Sequence, residues 1–177
     1  MFFFVMYQNP VNTNVLPSHP SKTQAQPGEI LLSLSTNKAT IQPGQVSTID
    51  ILIQDPANTA ELVQVEIAYD PMMMTVENIL PGTFFTNPTV VLHKIDPYNG
   101  RISYALRCPP SASENKPNCI NPTSNIVATV TITANPSLAK KNTTISLLPK
   151  TLIRDADGHE IIHKTQELQL TIANTKQ

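Results

Sequence analysis

From Ile30 onward, apolar residues recur at every second position. Ile30, Leu32 and Leu34 alternate with Leu31, Ser33 and Ser35, and Ile49, Ile51 and Ile53 alternate with Thr48, Asp50 and Leu52. Val63, Val65, Ile67 and Tyr69 alternate with Leu62, Gln64, Glu66 and Ala68. Ile102, Tyr104 and Leu106 alternate with Arg101, Ser103, Ala105 and Arg107. Ile126, Ala128, Val130 and Ile132 alternate with Val127 and three threonines, Thr129, Thr131 and Thr133. Ile145 and Leu147 follow, and Leu168, Leu170 and Ile172 close the series. Side chains alternate across a strand, so each set buries one face and wets the other. Turn signals separate the runs: Pro43-Gly44, Asp55-Pro56, Asp70-Pro71, Pro81-Gly82, Asn99-Gly100, Asn135-Pro136 and Asp157-Gly158. No window carries a helical stripe. The pattern predicts an all-β, antiparallel two-sheet sandwich of about nine strands over residues 28–173. Ile51, Val65, Ile67, Tyr104, Val130 and Leu170 are expected in one core. Roughly 145 residues suffice for a core that stands without help.

Residues 1–27 differ. MFFFVM is apolar but too short to span a bilayer, and it lacks the layout of a complete signal peptide. Two readings stay open: the remnant of a longer membrane anchor, or a ragged gene start. QNPVNTNVLPSHPSKTQAQPG reads as an extended proline-rich linker, placed to hold a module away from something such as a membrane. Residues 174–177 read as a tail.

The stretch AYDPMMMTVENILPG carries three successive methionines. Asp70-Pro71 ends the strand before them, because proline removes a ladder donor and restricts its neighbour. Met74 and Val76 have the spacing to point inward together. Met74 is expected as a core plug under the crossing, and Met72 and Met73 as partly exposed. A methionine patch for metal or partner is the alternative.

Composition narrows the function. The chain has net charge −1, 14% charged residues and no basic stripe, which argues against a nucleic-acid partner. No nucleophile–base pair, paired acids, metal motif or phosphate loop is visible, so no enzyme activity and no cofactor are expected. There is no Trp and aromatic residues are 5%, so little surface is available for stacking sugars. Tyr69 and Tyr104 point inward and Tyr7 lies in the tail, leaving Tyr98 exposed. A flat, mixed protein-binding face needs none of these.

Cys108 and Cys119 bound the proline-rich loop RCPPSASENKPNCIN. In an exported protein a disulfide across the loop is expected. Two free thiols, or half of a metal site, are the alternatives; zinc would need two more ligands, and no Cys/His pair at finger spacing supplies them. DADGHE resembles the start of a calcium loop but lacks its length and terminal glutamate. It reads more simply as a hairpin turn. His159 and His163 are expected on one strand face without convergent carboxylates, so no metal site is assigned. Asn142-Thr143-Thr144 is a glycosylation sequon, meaningful only in a secretory eukaryotic host.

The runs PGQVSTIDILI, VQVEIAYDPMMMTVENILPGTFF, GRISYAL and NIVATVTITA resemble, in order and spacing, a cohesin domain. Pro43-Gly44 precedes an alternating strand. Tyr69-Asp70-Pro71 is followed by apolar Met74 and then Pro81-Gly82. TISLLPKTLIRDADGHEII and QELQLTI resemble the family's last strands. The likeness spans roughly Gly28 to Ala173. It implies a jelly-roll sandwich of nine strands, related in fold to carbohydrate-binding modules. It implies no catalysis, but binding of a calcium-loaded dockerin helix pair on another protein, the calcium being the partner's, at an extracellular or cell-surface location. Dockerin contact residues carry over to the outward positions of two strands: Leu62, Gln64 and Glu66 on one, Arg101, Ser103, Ala105 and Arg107 on the other. Type I cohesins have Asn and Asp where this chain has Leu62 and Gln64, so a hydrogen-bonding pair gives way to a more apolar contact. A carbohydrate-binding module acting on polysaccharide is the competing reading.

Overall fold

The computed structural model describes residues 29–109 and 119–173. The expectations for residues 1–27 and 174–177 lie outside these. Among the described residues twelve strands follow one another without a helix. They are β1 (Ile30–Ser35), β2 (Thr40–Ile41), β3 (Val46–Gln54), β4 (Leu62–Ala68), β5 (Met74–Pro81), β6 (Thr89–Asp96), β7 (Arg101–Arg107), β8 (Ile126–Ala134), β9 (Lys140–Leu147), β10 (Leu152–Arg154), β11 (His163–Gln166) and β12 (Leu168–Ala173). A five-stranded sheet runs β11-β1-β3-β8-β5. A seven-stranded sheet runs β2-β12-β9-β4-β7-β6, with β10 also paired to β4. The two pack face to face in the expected jelly-roll sandwich.

The sheets are mixed rather than wholly antiparallel. β1 runs parallel to β11, and β2 runs parallel to β12. The cause is a pair of sheet crossings. After β1 the chain moves across to the other sheet as β2; after β11 it does the same as β12. Each crossing splits one long strand into two short ones, which raises the count above nine. A third split separates β9 from β10. Both line the same edge of β4, β9 at Ile67 and Ala68, β10 at Leu62, Val63 and Gln64. Between them Leu148 N–H donates to Glu66 O (2.7 Å), and Glu66 N–H donates to Thr151 Oγ1 (3.1 Å). The excursion thus keeps β4's backbone groups satisfied where the ladder is interrupted.

Alternation becomes burial. β4 reads intermediate-buried throughout its length, and β3 does so with exposed ends. Ile51, Val65, Ile67, Tyr104, Val130 and Leu170 share one core. Tyr69 and Tyr104 are buried and Tyr98 is 92% exposed, as their positions predict. Leu31, on the outer side of β1, is buried as well.

The methionines divide otherwise than expected. Met72 is 72% exposed and Met74 is buried, but Met73 is buried too, at 1%. The turn explains it. Met73 and Met74 N–H both donate to Asp70 O (3.0 and 3.3 Å), and Asn135 N–H donates to Met73 O (2.9 Å). This coils the chain through one helical turn, which swings Met73 under the β8–β9 connection instead of out to solvent.

The same end of the sandwich depends on Gly100. Its φ is +60°, and an added Cβ would collide with the Tyr69 carbonyl and Pro71 Cδ. Gly158 also has positive φ, +82°, but nothing lies within 4 Å of its missing Cβ. Gly158→Ala is therefore expected to cost about 1 kcal/mol, the left-handed backbone penalty alone. Gly100→Ala should cost at least about 2 kcal/mol, since two turns must also separate. Urea denaturation of both variants checks the order; equal losses would mean that the turns are not packed as described.

A mixed polar face on the seven-stranded sheet

β4 and β7 pair antiparallel from Leu62 opposite Arg107 to Ala68 opposite Arg101. Val63, Val65 and Ile67 face the core with Ile102, Tyr104 and Leu106. Leu62, Gln64, Glu66, Arg101, Ser103, Ala105 and Arg107 therefore share the other face, as the alternation predicts. The strands flanking them complete the rows. Arg154, Leu62, Arg107 and Thr89 lie side by side across β10, β4, β7 and β6. The next row is Leu152, Gln64, Ala105 and Leu92, then come Glu66, Ser103 and Lys94, then Ala68, Arg101 and Asp96.

Within this grid Glu66 is held in place. Ser103 Oγ donates to its Oε2 (2.6 Å) and Gln64 Nε2 donates to its Oε1 (3.1 Å). Arg101 and Arg107 are exposed, and Leu62, Gln64, Glu66 and Ser103 are half-buried. Ala105 is only 2% exposed and offers no surface of its own, because its methyl lies between the longer side chains of Gln64 and Leu92. At the row's far end Asp96 accepts from Asn99 Nδ2 (2.9 Å) and N–H (3.1 Å), which hold its carboxyl below the ordinary value.

Leu152, Arg154, Leu92 and Lys94 were not among the expected contact residues. Their signal was present but faint. Leu92, Lys94 and Asp96 alternate with His93 and Ile95, and Arg154 stands just before an Asp-Gly turn.

Cys108 and Cys119 are disulfide-bonded, with Cα atoms 5.7 Å apart. Both are buried. Cys108 directly follows Arg107, and its N–H donates to Glu61 O (2.8 Å). The bond thus fixes the end of β7 that carries Arg107. Residues 110–118 between the cysteines lie outside the described residues.

The turn after β10 is a hairpin turn, as expected: Gly158 N–H donates to Asp155 O and Ile161 N–H to Ile153 O. Asp155 Oδ1 accepts the N–H groups of Asp157 (3.0 Å) and His159 (2.8 Å). His159 and His163 do not share a strand face; His159 is in the turn and His163 opens β11. Instead, donor atoms of Asp155, Asp157 and His159 lie within 4.8 Å of one another. Partial desolvation opposes ionisation of Asp155, but the His159 N–H, the His159 ring and the Asp157 N–H outweigh it and hold the carboxyl below its ordinary value.

The sequence matches the family model of the cohesin domain over residues 31–172. Among solved structures, the chain is similar to a chain of the Coh-OlpC-Doc435 type I cohesin–dockerin complex of Clostridium thermocellum. Identity is 16%, coverage is 89% of this chain and 100% of that one, and the TM-score is 0.60. It is similar to CaCohA2 of Clostridium acetobutylicum at 16% identity, with 84% and 93% coverage and a TM-score of 0.62. A non-cellulosomal cohesin from the archaeon Archaeoglobus fulgidus matches at 15% identity, with 82% and 92% coverage and a TM-score of 0.62. At these identities the likeness to solved structures speaks for the fold. Comparison with curated proteins gave no match.

Two outcomes are expected here. Non-reduced peptide mass spectrometry should recover Cys108 linked to Cys119, and Cys108→Ser with Cys119→Ser should lower stability by about 3 kcal/mol, from the lost loop constraint. Alkylatable thiols in oxidised protein would count against the bond. The Asp155 turn should show acid sensitivity. A carboxyl whose folded pKa is depressed stabilises fully above its unfolded pKa, and that contribution is lost as pH falls through the folded value. The His159 amide resonance should therefore shift at a pH below the ordinary Asp value of 3.8, and Asp155→Ala should remove that step. A midpoint at or above 3.8 would contradict the hydrogen-bonded turn.

Proposed function

Because the chain belongs to the cohesin domain family, we propose that it is a non-catalytic docking module whose β4–β7 face binds a dockerin-like helical partner, any calcium being carried by that partner. One observation carries this assignment: a contiguous face with apolar Leu62, a hydrogen-bonded Glu66 and exposed arginines at both ends, on strands whose other sides are locked in the core. Such a face suits a helix-bearing protein, since Arg makes directional, charge-assisted bonds and an apolar residue between two arginines excludes water. Leu62 and Gln64 stand where type I cohesins have Asn and Asp, so this contact relies more on apolar burial than theirs does. Polysaccharide binding is the weaker reading. The chain has no Trp, and among the described residues Tyr98 is the only tyrosine left exposed, on a hairpin tip away from the middle of the face.

The module acts outside the cell or at its surface in this reading. A buried disulfide between cysteines on a loop belongs to an oxidising compartment.

Titration calorimetry against a panel of calcium-loaded dockerin modules tests the assignment. A binder should lose roughly tenfold or more in affinity for Leu62→Asp and again for Arg107→Glu, as expected of interface anchors worth about 1–3 kcal/mol. Unchanged affinity in both variants would move the site off this face, and tight binding to insoluble polysaccharide without any dockerin binding would favour the competing class.

A further inference from the structure

The row that begins the face puts Leu62 between two arginines. Arg107 is its neighbour on β7 and Arg154 its neighbour on β10. All three border a recess of about 170 Å³, together with Glu61 and Asp155. The backbone under both arginines is fixed. Ile153 is fully buried, Glu61 N–H donates to Arg154 O (2.8 Å), and Cys108 N–H, one residue beyond Arg107, donates to Glu61 O (2.8 Å). Both arginine side chains are exposed.

Neither guanidinium has an ion-pair partner among the described residues; the ion pairs there are His159–Asp155 and Lys164–Glu29. Two carboxylates, Glu61 and Asp155, also border the recess, but neither makes an ion-pair contact with an arginine. Asp155 spends its oxygens on the N–H groups of Asp157 and His159 and on the His159 ring. Glu61 lies within neither arginine's ion-pair reach. Two strand spacings, about 10 Å, separate the backbones of Arg107 and Arg154. Two arginine side chains leaning over Leu62 can close that span on one carboxylate, and the anion relieves the repulsion between them.

We propose that the Arg154–Leu62–Arg107 row is a receptor for one acidic side chain of the docked partner, with Leu62 as its apolar floor. The inference rests on the protein-docking reading of this face. It also gives the face a direction. Glu66, the carboxylate held by Ser103 and Gln64, stands four residues along β4 from Leu62, about 13 Å away. A docking helix then carries its acid at the arginine row and its base toward Glu66, about eight residues apart, the same-face spacing nearest that distance at 1.5 Å per residue.

The receptor is tested without the partner. The intact protein, labelled with nitrogen-15, is titrated at low ionic strength with N-acetylglutamate N-methylamide while the arginine Nε–H resonances are followed. Saturating shifts are expected at Arg107 and Arg154 but not at Arg101, with affinity about tenfold weaker in Arg154→Gln and in added salt. Linear, equal shifts at all three arginines, or an Arg154→Gln variant that binds like the wild type, overturn the receptor. A second arm measures Arg154→Glu against a calcium-loaded dockerin that binds the wild type. A loss of tenfold or more supports the receptor in the complex, and an unchanged affinity overturns its role there. If no dockerin binds the wild type while the small carboxylate still saturates, the dockerin reading fails and the carboxylate site stands.

Discussion

The register between β4 and β7 governs the rest of the molecule. With Val65 opposite Tyr104 and Ile67 opposite Ile102, six large side chains enter the core from this one pair of strands. A slip by one residue would send Leu62, Gln64, Glu66 and the arginines inward and the core residues outward. Each buried apolar side chain is worth roughly 1.5–3 kcal/mol, so exposing these six would forfeit roughly 9–18 kcal/mol, comparable to the whole 5–15 kcal/mol by which a domain is ordinarily stable. No such penalty attaches to what stands on the outer face. The core therefore holds the frame, and the outer rows are free to be chosen for a partner.

That division also explains what could be read in advance. Where one face of a strand is buried and the other wet, alternation is visible, and β3, β4, β7 and β8 with their core residues follow from it directly. β6 has solvent along its edge and on much of both faces, so Val90 and Val91 are exposed and the period blurs. β10 is three residues long, too short for any period, and its place beside β4 depends on the excursion through Thr151. Half of the face was therefore legible and half was not: Leu62 to Glu66 and Arg101 to Arg107 stood in the alternation, while Arg154, Leu152 and Lys94 join them only through long-range pairing. Met73 and Ala105 erred for local reasons, a coiled turn in one case and taller neighbours in the other.

The polar contacts around the face have a common character. Thr151 Oγ1, Ser103 Oγ and Gln64 Nε2 each bond to Glu66 or its backbone. They fix an acidic group at mid-face without burying an unpaired charge, which in a half-buried position would be costly. The arginines stand exposed at the rim, where a cation costs little before it finds a counter-charge. Rigid centre and adaptable rim are what a surface needs if its backbone is to stay still while its side chains settle against a partner.

The parallel pairs have a mechanical meaning. β1 and β2 come early in the chain and β11 and β12 late, yet they lie side by side and point the same way. If the module is tethered at its start and hauled on from its end, the tension runs along these strands in opposite senses. The ladder bonds from Ile30 to Ser33 against β11, and at Thr40 and Ile41 against β12, are then strained together in shear, like a lap joint, rather than peeled open one after another. The two sheet crossings put one such joint in each layer of the sandwich, so a load-bearing link would have to break both before the strands that present the face were disturbed.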